Sequence, residues 1–332
     1  MTAIPTEIRR VLDQVRRDVR RHRLWQPGAR VLLACSGGRD SMAALAILAQ
    51  LQPSLGHVLL VAHVDHGLQP NHAETADLVA EQAQQRHLAF AVRGVQLRPG
   101  ADLEARARSA RYAALHDMAT ELAAAVIVTA HHADDQAETL LLRLARGAGP
   151  DALAGVRRKR PDAIARPFLA VTRAQLALCA AHFAVPWLTD PSNADLKVTR
   201  NHLRHRVLPV LEAALPGAAA GLARTAELAA AQEGALAVWI DRALGDRLSI
   251  DRVAGVVSVA VADVPHQSAA KSALLLRVFQ HLDLPAPSVR AVDQWLALGD
   301  RGEARLHGLI VVGDGNRWQF FANDVARPGP AD

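Results

Sequence analysis

Four short apolar segments alternate with longer segments of helical periodicity in the first half of the chain. The apolar runs are Arg30–Ala34, His57–His63, Leu88–Val95 and Ala125–Ala130, and the helical patterns cover 41–51, 73–86, 103–122 and 133–146. Strands that alternate with helices build parallel βαβ units, and continuous apolar runs are typical of strands buried on both faces. The pattern therefore predicts an α/β fold with an open, doubly wound parallel sheet. An amphipathic helix over 7–23 should precede it.

The pattern changes after Pro161, and a second, smaller domain is predicted near the C-terminus. Before it come a helix over 173–183, a turn-rich segment over 187–193, and a basic helix over 199–208 that Pro209 should stop. The segment Ala213–Gly221 is typical of an interdomain hinge, so we expect domains 1–215 and 216–332. The second should be α+β, with helices over 224–243, 268–282 and 288–298, a strand over 256–262 and a hairpin over 305–321.

Composition excludes several classes of protein. No apolar run reaches the roughly 18 residues of a membrane span, and residues 1–30 lack the apolar core of a signal peptide. The two cysteines, Cys35 and Cys179, form no C-x-x-C pair, which excludes a disulfide framework and a cysteine-built metal centre. We therefore expect a cytoplasmic protein that does not enter a membrane.

Positive charge is concentrated in two blocks. Residues 1–30 carry eight basic and three acidic side chains (net +5), and residues 141–215 carry twelve and five (net +7). Nearly all are arginines, whose planar fork suits phosphate, although solvated helix faces and codon bias explain such clusters equally well. On the first interpretation the partner is a nucleic acid, contacted by Arg146, Arg157, Arg158, Arg160, Arg200 and Arg204.

The segment Ser36-Gly37-Gly38-Arg39-Asp40-Ser41 lies between the first predicted strand and its helix. Paired glycines let backbone N–H groups approach a phosphate, and the helix N-terminus adds partial positive charge. The segment contains neither a Gly-Lys-Ser/Thr sequence nor a G-x-G-x-x-G fingerprint. It is thus either a phosphate-binding loop of another type or a tight structural turn.

Two carboxylates mark the end of the fourth predicted strand. Asp135 and Glu138 are three residues apart and share a helix face, where they either complement the helix dipole or face a cationic group. That cation would be Mg²⁺ or an amine substrate. His131 lies four residues before Asp135, but no third ligand has the spacing that zinc requires.

Taken together, these motifs resemble the tRNA(Ile)-lysidine synthetase family of ATP pyrophosphatases, in the PP-loop superfamily. The resemblance covers residues 28–212. It rests on the S-G-G-x-D-S loop, His63–Leu68, Thr129–Thr139, Leu144–Gly147, Arg166-Pro167, Asp190–Asn193 and Arg200–Arg204. It implies that Ser36–Ser41 and His63 bind ATP, with Mg²⁺ carried by the ATP phosphates and Asp40 as a possible ligand. It also implies a catalytic or lysine-binding role for four residues: Asp65, Arg111, Asp135 and Glu138.

The family's reaction adenylates the C2 oxygen of the wobble cytidine in a CAU-anticodon tRNA(Ile), and free L-lysine then displaces AMP. The resemblance implies no protein partner. One alternative is a related PP-loop enzyme that thiolates tRNA, which would need reactive cysteines or an iron–sulfur cluster. Another is an adenine-nucleotide-binding protein without catalysis, which would have no need of a pyrophosphate-binding loop.

Overall fold

A computed structural model describes residues 4–65, 67, 72–96, 103–147, 153–189, 198–244, 247–251, 254–264, 267–284, 287–306 and 308–322. The chain divides into two compact units. The first comprises residues 1–146 and 154–227, and the second comprises residues 147–153 and 228–332. The hinge expected at 213–221 is instead a short break after α8 (Leu208–Ala214), because α9 (Ala218–Leu244) begins at Ala218.

The first unit contains a five-stranded parallel sheet. Its strands are β1 (Arg30–Ala34), β2 (Val58–Asp65), β3 (Ala89–Gly94), β4 (Val126–Val128) and β5 (Ile164–Ala165), in the order β3-β2-β1-β4-β5. The other helices of this unit are α1 (Thr6–Arg21), α2 (Arg39–Leu55), α3 (His72–Gln85), α4 (Leu103–Glu121), α5 (Ala133–Ala145), α6 (Arg173–His182) and α7 (Thr199–His202). The predicted doubly wound sheet is confirmed.

Strands β1, β2 and β4 bury successive side chains, whereas the edge strand β3 has none that is fully buried. Val31, Leu33 and Val61 pack with α1, α2 and α6 in one core cluster. Leu32 and Leu60, next to them along the strands, pack with α4 in the other. Successive side chains of a strand point to opposite faces, so continuous apolar runs are required wherever helices cover both faces.

Chain order and strand order diverge between β1 and β4. The chain leaves β1 towards β2 and β3, then returns to place β4 on the other side of β1. In open α/β sheets, ligands bind outside the carboxyl ends of the strands at such a switch point. The loop after β1 and the start of α5 both lie there.

One prediction near the end of the first unit is wrong. The basic helix does not stop at Pro209, because α7 is followed by a π-helical turn over Leu203–Val207 and then by α8. Pro209 lies in the first turn of α8, where its missing N–H would have no helical partner in any case.

The second unit holds an antiparallel sheet and two further helices. Strands β6 (Ser249–Asp251), β7 (Val256–Ala260), β8 (Arg301–Leu306), β9 (Leu309–Asp314) and β10 (Arg317–Ala322) pair in the order β6-β7-β10-β9-β8. Helices α10 (Ser268–His281) and α11 (Val289–Ala297) contribute to the core beside the sheet, with Trp295, Trp318 and Phe320 at its centre. The predicted hairpin is β9–β10, and it forms part of a larger sheet.

No single helix in the described ranges is long and apolar enough to cross a bilayer. Two helices reach that length and apolarity only when they are counted together, Thr199–Ala214 and Ala218–Trp239, and the chain bends by 99° between them.

Candidate active site

A cavity of about 310 Å³ opens at the switch point of the parallel sheet. One part of its wall is the loop after β1, including Ser36, Asp40 and Ser41. Another part consists of Thr129–His132 and Asp135, after β4, and the rest includes Arg111 and Tyr112 of α4 together with Arg204. The sheet topology therefore brings the predicted phosphate loop and part of the predicted amine site to one cavity.

The loop is shaped by a glycine and a serine. Gly37 has φ +77°, and a Cβ at this position would lie 2.3 Å from Cγ2 of the buried Thr75 side chain. The Ser41 hydroxyl accepts a hydrogen bond from the Ser36 backbone N–H (3.1 Å) and donates one to the Gly38 carbonyl (2.8 Å). The loop is thus fixed before any ligand arrives, as an anion site at a helix N-terminus requires.

We expect Gly37→Ala to lower the free energy of unfolding by about 1–3 kcal/mol, because the new methyl group overpacks against Thr75. Gly28→Ala is the matched control. Gly28 also has a positive φ, +82°, but no atom lies within 4 Å of a Cβ built there, so it shares the backbone strain without the clash. Urea titration of both variants measures the difference. Equal losses would mean that Thr75 moves aside freely.

Asp40 and His132 lie side by side at the base of the loop. His132 Nε2 lies 3.3 Å from Asp40 Oδ2, and the imidazole is only 2% exposed. Burial alone would raise the pKa of Asp40, but the hydrogen bond and charge of His132, with Arg173 and Arg39, lower it to about 2. Burial opposes protonation of His132, yet Asp135, Asp40 and Asp134 raise its pKa overall. Asp40 is therefore a carboxylate beside the loop.

Asp135 and Glu138 share a helix face, as predicted, but they face arginines. Glu138 is completely buried, with Oε2 2.9 Å from Arg200 Nε and Oε1 2.6 Å from Arg204 Nε. Arg204 Nη2 also donates to Asp135 Oδ1 (3.1 Å). The expected role of this pair at a ligand stays a prediction. Asp135 reaches the cavity, whereas both oxygens of Glu138 are occupied by arginines.

The same contacts involve two of the residues predicted to bind tRNA. Arg200 and Arg204 point inward to the carboxylates of α5. Arg204 is also part of the cavity wall, and its ion pairs raise its pKa despite the opposing effect of burial. The spacing of Arg200 and Arg204 is visible in the sequence, but their pairing with carboxylates more than 60 residues away is not.

His131 belongs to the cavity wall, whereas its spacing in the sequence suggested only a metal ligand. Its ring lines the cavity, and its Nδ1 lies 2.8 Å from the Thr129 hydroxyl. Burial lowers its pKa to about 3, against the opposing charge of Asp135, so the ring is neutral near pH 7. The sequence feature that indicated a place for His131 in the cavity wall was its position just after a strand.

Two other predicted site residues lie close to the end of β2. His63 is buried, and its Nδ1 lies 2.9 Å from the Cys35 carbonyl, directly before the loop. Asp65 accepts a hydrogen bond from the Gly67 backbone N–H (2.9 Å) and lies 2.8 Å from His72 Nδ1. These contacts overcome the effect of burial and lower the pKa of Asp65. In this structure both residues therefore bond to the backbone near the cavity. The other predicted motif residues, His66 and Asp190–Asn193, lie outside the described residues.

The remaining basic residues divide by exposure. Arg146 and Arg157 are exposed, as a nucleic-acid contact requires. Arg160 lies 2.7 Å from Asp162. The guanidinium group of Arg158 bonds to Asp18 of α1 and lies 3.6 Å from Glu227. Arg158 therefore ties segments of the first unit together.

Metal-ligating side chains are sparse. Within the described ranges, no group of three or more His, Cys, Asp or Glu side chains is arranged to hold a metal ion. Mg²⁺ is usually held by one or two carboxylates together with substrate phosphates, and the ionised Asp40 beside the loop fits that arrangement.

Comparison with known proteins agrees with this geometry. The PP-loop domain model ATP_bind_3 matches residues 5–211. The tRNA(Ile)-lysidine synthase of Salinispora arenicola is 48% identical over 231 residues, which is 67% of this chain and 69% of that protein. The enzyme of the same name from Novosphingobium aromaticivorans is 37% identical over 308 residues, 89% of this chain and 90% of that protein.

A solved structure shares the fold at low sequence identity. The U34-tRNA thiolase of Methanococcus maripaludis, solved with its [4Fe-4S] cluster, aligns with a TM-score of 0.56 and 16% identity, over 67% of this chain and 78% of that one. It supports the architecture alone. The family model and the relatives together show that the chain belongs to the tRNA(Ile)-lysidine synthase family of PP-loop proteins.

Proposed function

We propose that the protein uses ATP to join L-lysine to C2 of the wobble cytidine in a CAU-anticodon tRNA(Ile), through an adenylated tRNA. The observation that carries this proposal is the shared cavity. The phosphate loop forms one part of its wall, and Asp135, His131 and Arg204 form another, so a nucleotide and an amine can meet there. We also propose a cytoplasmic location, since the free thiols of Cys35 and Cys179 suit a reducing compartment.

In the first step, the cytidine O2 would attack the α-phosphorus of ATP, and the bond from that phosphorus to the pyrophosphate oxygen would break. The loop around Gly37 and the N-terminus of α2 would hold the departing pyrophosphate. Asp40 would hold Mg²⁺ carried by ATP. That ion, when bound, supplies charge neutralisation on the phosphates.

In the second step, the lysine ε-nitrogen would bond to C2 as the bond from C2 to the AMP oxygen breaks, so that AMP leaves with the oxygen. The amine must be neutral to attack. Arg111 and Arg204 line the same cavity, and nearby cations lower the pKa of an amine. Asp135 would accept hydrogen bonds from the amine and orient it, while Glu138 holds Arg204 in place.

The test separates the two half-reactions. The protein is incubated with ATP, Mg²⁺, radiolabelled lysine and tRNA, and AMP-tRNA and lysine incorporation are measured independently. Label in tRNA at an internal, alkali-stable position is expected for the wild type. We expect Asp135→Asn to lower lysine transfer about 100-fold and to let AMP-tRNA accumulate.

Asp134→Asn is the matched control for that experiment. Asp134 is the adjacent carboxylate and accepts a hydrogen bond from the Arg173 backbone N–H (2.9 Å). This variant should use lysine as the wild type does. If Asp135→Asn abolishes adenylation as well, Asp135 serves the nucleotide rather than the amine, and wild-type rates would remove it from the mechanism.

Thiolation, the main alternative, is disfavoured by the cysteines. Cys35 and Cys179 are both buried, and burial raises the pKa of each thiol, that of Cys179 to about 11. A nucleophilic or cluster-binding cysteine needs thiolate character and access. A non-catalytic nucleotide-binding protein would form neither AMP-tRNA nor labelled product.

A further inference from the structure

Tyr112 is surrounded by arginines. The guanidinium carbons of Arg108, Arg160 and Arg111 lie 5.1, 5.4 and 5.8 Å from the centroid of its ring. Tyr112 and Arg111 belong to the wall of the cavity. The cluster therefore begins inside the candidate active site and extends outward from it.

Of the arginines around Tyr112, Arg160 pairs with Asp162, whereas the more deeply placed Arg111 and Arg166 lie among other cations. Arg166 is 2% exposed, and its Nη1 donates to the Arg157 carbonyl (2.5 Å). Burial lowers the pKa of both Arg111 and Arg166. The largest electrostatic effects of other groups on these two arginines come from Tyr112 and from further arginines. Buried cations without a carboxylate partner are unfavourable unless an anion completes the site.

The cluster is distinct from the phosphate loop. The loop opens α2, which packs on one face of the sheet, whereas Arg108, Arg111 and Tyr112 belong to α4, which packs on the other. When ATP phosphates bind to the loop, the arginines around Tyr112 therefore remain available to a different oxyanion.

The shape of the cluster favours a strand over a small molecule. Arg111 and Tyr112 line the cavity and Arg108 is exposed, so the guanidinium groups on this ring run from the cavity wall to the surface. Arginine forks bind phosphate oxygens in pairs, and guanidinium groups with an aromatic ring are typical of contacts to single-stranded RNA.

We propose that Arg108 and Arg111, whose guanidinium groups lie on the ring of Tyr112, form a subsite for one backbone phosphate of the RNA strand beside the target nucleotide. This inference rests on the proposed function, because it assumes that RNA enters the cavity. The other oxyanion that this chemistry fits is the α-carboxylate of lysine.

The first test uses tRNA binding without ATP or lysine. We expect Arg108→Gln to weaken tRNA binding roughly tenfold and to reduce the slope of log affinity against log salt by about 0.7–0.9, the value for one phosphate contact. Arg93→Gln is the matched control, because Arg93 pairs with Glu121, the last residue of α4. The control should leave the slope unchanged.

The second test locates the phosphate. Anticodon stem-loops are prepared with a neutral methylphosphonate at one position at a time. One substitution should weaken binding to the wild type and have little further effect on Arg108→Gln, since both changes remove the same contact. Equal losses in both proteins at every position would overturn the proposal.

Lysine use distinguishes the two oxyanions. A raised KM for lysine in Arg108→Gln, with the salt slope of the wild type, would assign the cluster to the lysine carboxylate and overturn the RNA assignment. If wild-type protein binds tRNA but incorporates no lysine, the proposed function fails while the binding test still reports on the subsite. Wild-type binding by Arg108→Gln, alongside normal lysine incorporation, would overturn the subsite alone.

Discussion

Glu138→Gln should lower the free energy of unfolding by about 3–5 kcal/mol, because it removes one partner from a buried charge cluster. The carboxylate is 0% exposed and bonds to Arg200 and Arg204. Glutamine keeps the shape but not the charge, so Asp135 would be left to balance both guanidinium groups. Urea unfolding followed by circular dichroism measures the loss.

Glu121→Gln provides the comparison. Glu121 is also 2.6 Å from an arginine, Arg93, but its side chain is 59% exposed. Exposed pairs are screened by water and add little, so this variant should unfold almost as the wild type does. If both variants lose the same free energy of unfolding, burial does not make the ion pairs of Glu138 more stabilising than exposed ones.

Ser41→Ala and Asp40→Ala should each reduce AMP transfer by roughly 10²–10³-fold, the loss typical when one preorganised stabilising group is removed. Ser41 fixes the loop through Ser36 and Gly38, and Asp40 is an ionised carboxylate beside that loop. Release of pyrophosphate and formation of AMP-tRNA are the measurements. Affinity for tRNA should stay within a few-fold, because neither residue belongs to the two basic blocks.

Ser54→Ala is the control for the loop variants. Ser54 lies on the same helix, where its hydroxyl donates to the Leu51 carbonyl (3.1 Å). Loss of this hydrogen bond should leave adenylation at the wild-type rate. Normal adenylation in Ser41→Ala would mean that the loop keeps its shape without the hydroxyl.

The parallel sheet was predictable because its cause is local. Strands covered on both faces must be apolar throughout, so Arg30–Ala34 could be assigned to its observed bounds. Strand β5 was not predicted, because two residues, Ile164 and Ala165, are too few to form a recognisable pattern.

The edges of the antiparallel sheet were missed for a related reason. In β8, Arg301, Glu303 and Arg305 alternate with Gly302, Ala304 and Leu306. Charged residues are uncommon in strands, so three of them in six residues obscured the alternation of charged and uncharged side chains that is typical of a strand. Such charges are typical of edge strands, where they discourage pairing with another chain.

Within the site, helix periodicity was informative and long-range pairing was not. The shared face of Asp135 and Glu138 follows from their spacing. Their arginine partners are more than 60 residues away in sequence, and Asp18 and Arg158 are separated by 140. Only the tertiary fold determines whether a carboxylate faces a ligand or a guanidinium group.

Tyr112 is the only tyrosine in the chain, and its ring forms part of the cavity wall. Incorporation of 3-fluorotyrosine would therefore place a single fluorine label in the candidate active site. One ¹⁹F resonance would report, without assignment, on the charge and solvent around that ring. ATP, lysine and an anticodon stem-loop could be added in turn, so that the order in which the cavity fills is read from one NMR signal.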